Sequence, residues 1–238
     1  MELQVKNGKY AITGEINWDC KNSLLRCIAD DTLVAEREIP GYIDEITADD
    51  GQVFCLVQHR SDLLGDDNRV VLQTFNWELH ELSSDILESN PNGWFLSCMD
   101  MSYIYILRYG TASSGADFGG KSVDFDMVAE MTFIKINRKT GERIEWTLDD
   151  LENNDGCSRA LENVVNGYVA GISKIHAANG KLIFECDVFE PDSEIECDDP
   201  DFDENELSEA DYVEYHSFPY TICADLDAKE LSYVANNQ

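Results

Sequence analysis

Short apolar runs separated by polar turns recur along the chain, and the turns themselves repeat. Asn7-Gly8 precedes KYAI, Asp50-Gly51 precedes QVFCLV, Asn92-Gly93 precedes WFLSC and Asn179-Gly180 precedes KLIFEC. Asn-Gly and Asp-Gly favour tight turns between antiparallel strands, because both central residues accept positive φ. The glycines are spaced by 43, 42 and 87 residues, so the last interval is about twice the unit. After each turn comes a second apolar run (LLRCI, VVLQTF, EMTFIKI, FPYTICADL), then a polar turn, then a third run (LVAEREI, WELHEL, RIEWTL, ELSYV). A lead-in recurs as GYIDEITADDG at 41–51 and GYVAGISKIHAANG at 167–180.

These units divide the chain into four repeats, at 1–39, 42–82, 90–148 and 167–234, within a single β-repeat domain spanning 1–238. A unit of about forty residues suits one four-stranded blade. The third and fourth repeats are lengthened by expected insertions at 108–128 and 189–215. One stretch departs from the strand pattern. In TLDDLENNDGCSRALENVV (147–165), Asp149 or Asp150 is placed to cap a short helix, and Leu161, Val164 and Val165 fall at helical spacing.

The expected fold is mostly β, with one or two short helices near 149–165. The pattern of an NG turn in mid-unit and a D-x-x-T/K-type turn before the outer strand resembles β-propeller blades, without pointing to one family. That resemblance implies binding surfaces on the faces and in the channel, but no particular reaction. A β-sandwich of short hairpins is the alternative arrangement.

Charge narrows the possible partners. With 17 basic and 48 acidic side chains the net charge is −31, which excludes a phosphate-gripping face and opposes anionic membranes. At 43% hydrophobic and 10% aromatic residues, the chain still has the material for a core. Neither a signal-peptide pattern at the start nor a membrane-length apolar run is present, so the expected location is cytoplasmic. The eight cysteines form no CxxC pair and lie mostly in apolar runs, which reads as reduced thiols in the core.

The acidity is unevenly placed. From Leu182 to Ala228 there is no Lys or Arg, against 17 acids. Apolar anchors interrupt this run, which suggests docking on a basic partner through Glu194, Glu196, Asp198, Asp199, Asp201, Phe202, Asp203, Glu204, Glu206, Glu209, Asp211 and Tyr212. Asp199, Asp201 and Asp203 have the first spacing of a calcium loop, but Glu204 stands where the turn needs Gly and Ala210 where it needs a bidentate Glu, so no metal is assigned.

Gly115, Gly120, Lys121 and Ser122 satisfy the phosphate-loop pattern G-x-x-x-x-G-K-[ST]. That chemistry needs a helix opening after the Lys. VDFDMVAEMTFIKI follows instead and reads partly as strand, so the match is judged coincidental and no cofactor is expected. His59, His80, His176 and His216 are too scattered for a metal pair, although His59 and Arg60 end a strand that would face a propeller channel.

The expected function is therefore a non-enzymatic acidic protein that binds and inhibits a basic partner. That partner would be a nuclease toxin or a nucleic-acid-processing effector, met by an immunity-type protein or a nucleic-acid mimic. The alternatives are a propeller scaffold or sensor that binds a peptide or small ligand, and a carboxylate-based hydrolase.

Overall fold

The computed structural model describes residues 2–18, 21–49, 51–60, 68–91, 93–118, 121–153, 159–166, 168–190, 208, 211, 214 and 216–234. The fold is mostly β and is built from four sheets, each assembled from strands consecutive in sequence. Sheet one contains β1 (Glu2–Asn7), β2 (Tyr10–Asn17), β3 (Asn22–Ala29) and β4 (Thr32–Pro40). Sheet two contains β5 (Tyr42–Ala48), β6 (Val53–His59), β7 (Asn68–Phe75) and β8 (Glu81–Asn90). Sheet three contains β9 (Trp94–Met99), β10 (Tyr103–Phe118), β11 (Lys121–Asn137) and β12 (Arg143–Thr147). In sheet four, β14 (Val169–Ala178), β15 (Lys181–Phe189), β16 (Ser217–Asp225) and β17 (Glu230–Tyr233) meander, and β13 (Glu152–Asn153) adds in parallel to β17. These sheets coincide closely with the four sequence repeats, and each has the up-and-down strand order of a propeller blade.

The chain divides into two compact units, one of residues 1–108 and 135–143, the other of 109–134 and 144–238. In unit one the core is made by sheets one and two. Strand β3 alternates strictly, burying Ser23, Leu25, Cys27 and Ala29, and these meet Ile12, Ile39, Ile43, Ile46, Val53, Cys55, Val57 and Phe75. Strand β6 is buried on both faces from Cys55 to Gln58 and so reads as a continuous apolar run, whereas β8 at the sheet edge is mostly exposed. In unit two, Phe133 packs against Phe184 at 5.8 Å. Leu161 and Val164 of α1 (Arg159–Val165) are fully buried.

The short helical elements near 149–165 are a 3-10 turn at Leu148–Asp150 and α1. Thr147, rather than an Asp, occupies the N-cap of the first, and Asp150 supplies the returning half of a capping box, its Oδ2 accepting from Thr147 N at 2.9 Å and Oγ1 at 2.7 Å.

Two boundaries differ from the sequence expectation. The described residues of 108–128 do not form a loop insertion: β10 runs on to Phe118 and β11 begins at Lys121. The third Asn-Gly dipeptide is also not a hairpin turn, since Gly93 lies between sheets and leads into β9. The hairpin turn of sheet three is instead Asp100–Ser102, where Asp100 Oδ1 accepts from the N–H groups of Ser102 and Tyr103, both at 2.7 Å. Asp49 holds the corresponding turn of sheet two in the same way, with Gly51 N at 2.9 Å and Gln52 N at 2.8 Å. Asn76, Asn137 and Asp225 repeat the device in the turn before the last strand of their sheets. The element these turns share is thus an Asx turn, which needs the side-chain acceptor more than it needs the glycine.

Glycine is indispensable at the junction of sheets one and two. Gly41 has φ +100°, and a Cβ there would stand 2.6 Å from the backbone oxygen of Gln58. Its N–H donates to Lys21 O at 3.1 Å. Buried Ser23 Oγ donates to Gly41 O at 2.9 Å and accepts from Ile43 N at 3.0 Å, so one hydroxyl satisfies both ends of the crossing. We predict that Gly41→Ala lowers stability by about 2 kcal/mol or more, from φ strain and the carbonyl clash together. Gly8→Ala, with nothing within 4 Å of the added Cβ, should be close to neutral in the same urea titration. Equal midpoints for the two variants would refute this account of the junction.

Candidate functional site

Strand β5 carries an irregularity between Ile43, paired with Val57, and Glu45, paired with Leu56, which leaves Asp44 as the extra residue of a bulge. The sequence dictates it. Ile43 and Ile46 are three residues apart and both buried, and a regular strand of period two cannot turn both to one face. Strand β14 has a similar device, with Val169 and the partly buried Ile172 three apart and a register shift at Ala170, followed by a second shift at Ser173. The bulge therefore belongs to the Gly-aromatic-apolar lead-in, and only in sheet two does it present a carboxylate.

That carboxylate enters a closed polar network. Ser97 Oγ donates to Asp44 Oδ2, and Gln58 Nε2 donates to the same oxygen at 2.6 Å and to Phe95 O at 2.8 Å. Arg60 Nε donates to Gln58 Oε1 at 3.2 Å, which fixes the orientation of the amide. Gln58 and Ser97 are buried. Burial pushes the Asp44 carboxyl up to about 6, against the opposing pull of the Ser97 and Gln58 hydrogen bonds and the Arg60 charge. Its neighbour Glu45 is also raised by burial, while Met99 N donates to it at 3.5 Å. Burial likewise pushes up the Cys98 thiol.

From this network the side chains lead outward. The Arg60 guanidinium lies 5.7 Å from the Tyr42 ring centroid, and the Tyr42 ring packs at a tilt, 4.9 Å between centroids, against Trp18, which is 62% exposed. Trp18 forms one wall of a hollow of about 710 Å³ on the outer face of sheet one. Its floor follows from strand register: Glu15 and Asn17 of β2, Asn22, Leu24 and Arg26 of β3 and Glu38 of β4 all point outward. Arg26 spans the floor, reaching Glu15 at 2.8 Å and Glu36 at 2.9 Å, and Asn22 donates to Glu38. The hollow thus joins an aromatic wall to a floor of alternating donors and acceptors, which suits a small polar or peptidic ligand.

A second clasp in unit one is Arg138. Its guanidinium sits 4.0 Å above the Phe54 ring and donates to Asp100 O at 2.6 Å and Thr47 Oγ1 at 3.1 Å. It borders a hollow of about 570 Å³ with Met101 and Tyr103.

Of the residues expected to bind a partner, Glu194, Glu196, Asp198, Asp199, Asp201, Phe202, Asp203, Glu204, Glu206, Glu209 and Tyr212 lie outside the described residues. Asp211 is described and exposed, and its Oδ2 accepts from Ser208 N at 3.2 Å and Oγ at 2.5 Å. Lys121 and Ser122 open β11, so a strand stands where a phosphate loop requires a helix. Gly115 lies within β10, and Gly120 is outside the described residues. Arg60, noted from the sequence, joins the Asp44 network. His59 beside it is half-buried, and burial, with the Arg69 charge, lowers its pKa. Among the described residues, no group of three or more His, Cys, Asp or Glu side chains is placed to hold a metal ion.

No protein-family model and no curated protein sequence matches the chain. Solved structures do. A single-site variant of the Synechocystis apocarotenoid oxygenase is similar at TM-score 0.46 and 11% identity, over 98% of this chain and 47% of that one. The cobalt-substituted form of that oxygenase gives 0.44 and 12%, and a chimera of it with RPE65 gives 0.43 and 13%, each with the same coverage. The chain spans about half the length of these structures. The expectation of a non-enzymatic inhibitor, whether immunity protein, antitoxin or nucleic-acid mimic, is corrected by this comparison: the matched structures are those of an oxygenase, not of an inhibitor. A likeness of this size carries no argument for oxygenase activity here.

The Asp44 carboxyl makes a signed prediction. Its folded value near 6 lies above the ordinary 3.8, so the unfolded chain ionises first and stability falls as pH rises from about 4 to about 6. The loss is at most about 3 kcal/mol and persists above that window. Asp44→Asn, which keeps an acceptor for Ser97 and Gln58, should be more stable than the parent at pH 7.5 and indistinguishable from it at pH 4. Parallel urea midpoints across this range would show that Asp44 is not the group responsible.

Proposed function

We propose that the chain is a non-catalytic β-repeat module that holds a short peptide or small polar ligand in the hollow beside Trp18. The observation that carries this reading is a tryptophan 62% exposed yet in ring contact with Tyr42, at the wall of a hollow whose floor bears both charges. A large aromatic left in water beside a concave polar surface favours a contact made by another molecule. The engagement of Asp44 with Ser97 and Gln58 supports a structural rather than a catalytic carboxyl.

The setting is proposed to be the cytoplasm, where the buried free thiols of Cys27, Cys55, Cys98, Cys186 and Cys223 stay reduced. Among the described residues no helix is long and apolar enough to cross a membrane. With a net charge of −31, nucleic acid and anionic membranes are disfavoured as ligands, and a protein partner would offer a basic segment.

The test uses the full chain labelled with 5-fluorotryptophan, whose four tryptophans give separate fluorine resonances. Pools of blocked tripeptides, sorted by charge, are titrated in. The Trp18 resonance should move with at least one pool while that of buried Trp77 stays fixed, and Trp18→Ala should weaken the binding roughly tenfold or more. A Trp18 resonance that no pool moves at millimolar concentration would overturn the proposal.

A further inference from the structure

Unit two contains a hollow of different chemistry. It measures about 590 Å³, within the range of small-molecule sites, and its floor is apolar: Met127, Val128 and Met131 are each at most 5% exposed, with Leu148 beside them. Its rim carries two carboxylates, Glu130 and Asp149, and among the described residues no Lys or Arg lines it. Among the described residues, no side chain forms an ion pair with either carboxylate.

Glu130 stands out by its backbone. It lies within β11 at φ +54°, in the left-handed region, where a glycine would be relaxed and a side chain is not. The turn of the chain there buries Met127 and Val128 on one side and Met131 and Thr132 on the other, with Glu130 itself exposed at the rim. Its carboxylate extends over Gly110, whose added Cβ would come within 3.8 Å of Oε2. A positive φ alone is met most easily by glycine, so an acidic side chain at this position points to a use for its charge.

We infer that this hollow binds a small apolar molecule bearing an amine. The unbranched, polarisable thioethers of Met127 and Met131 adapt to an aliphatic or aromatic body. The ammonium group then meets Glu130 and Asp149 at the boundary between apolar floor and water, where a charge-assisted hydrogen bond is stronger than in bulk solvent. A carboxylic acid of the same shape is repelled by the same two groups. A neutral alcohol of the same shape keeps the apolar contact but loses the ion pair. The site is separate from the hollow at Trp18, and neither reading depends on the other.

The experiment uses the full chain with carbon-13 methyl-labelled methionine. The probes are 2-phenylethylamine, its isostere 2-phenylethanol, and 3-phenylpropanoate. The amine should shift the Met127 and Met131 methyl signals and leave those of Met99 and Met101 in place. Its affinity should exceed that of the alcohol by roughly tenfold, and the acid should not bind. Glu130→Gln should bring the amine down to the affinity of the alcohol. Glu130→Gly should do the same while unfolding at a temperature no lower than the parent, a combination that a purely structural Glu130 would not give. Unmoved Met127 and Met131 signals, equal affinity for amine and alcohol, or a Glu130→Gly variant that binds the amine like the parent would each overturn the inference.

Discussion

Gln58 is the constraint around which unit one is built. Its backbone oxygen occupies the space that a side chain at residue 41 would need, and its side-chain amide holds both Asp44 and the carbonyl of Phe95. One residue near the end of the buried strand β6 therefore fixes how the chain enters sheet two and where β9 lies against it. A buried amide has two donors and an acceptor to satisfy, and here all three are used, the acceptor by Arg60. An apolar residue of the same size would fill the space but would leave the Phe95 carbonyl and the Asp44 carboxyl without their donor. In a core otherwise held by non-directional apolar contacts, this network supplies register.

The bulge at Asp44 and the bulge at Ala170 show how a repeat acquires individuality. The backbone device is shared and follows from two apolar residues spaced by three. In sheet four the residue at the corresponding bulge is alanine and adds no polar group, while a second irregularity follows at Ser173. In sheet two it is an aspartate, and the surrounding Ser97, Gln58 and Arg60 compensate part of the desolvation that burial imposes on it. The remaining part holds the carboxyl above the usual carboxylate range, at about 6.

Most of the fold was legible because strand periodicity and turn chemistry agree. The runs LLRCI and KLIFEC alternate as they pack, and Asn179-Gly180 takes the paired positive φ values its dipeptide favours. The errors have physical causes. Gly93 resembles a hairpin glycine but, like Gly41, opens a sheet, and a dipeptide alone does not distinguish these uses. TASSGADFGGKS has a loop's composition, yet residues 111–118 and 121–122 continue the strands β10 and β11. The polar network stayed hidden because one aspartate among 48 acids carries no signal. The spacing of Ile43 and Ile46 would have marked the bulge. Trp18 went unnoticed because what distinguishes it is its ring partner, Tyr42, on another strand.

The clasp made by Arg138 bears on the order in which the protein is made. Unit one comprises residues 1–108 together with 135–143, so its last piece is translated only after 109–134, which belong to unit two. Until Arg138 leaves the ribosome, the Asp100 carbonyl lacks its guanidinium donor and the Phe54 ring lacks its cover. The two units are thus interleaved in the gene. A cut in the coding sequence after residue 108 separates no finished domain, and a nascent chain of that length still presents an open flank.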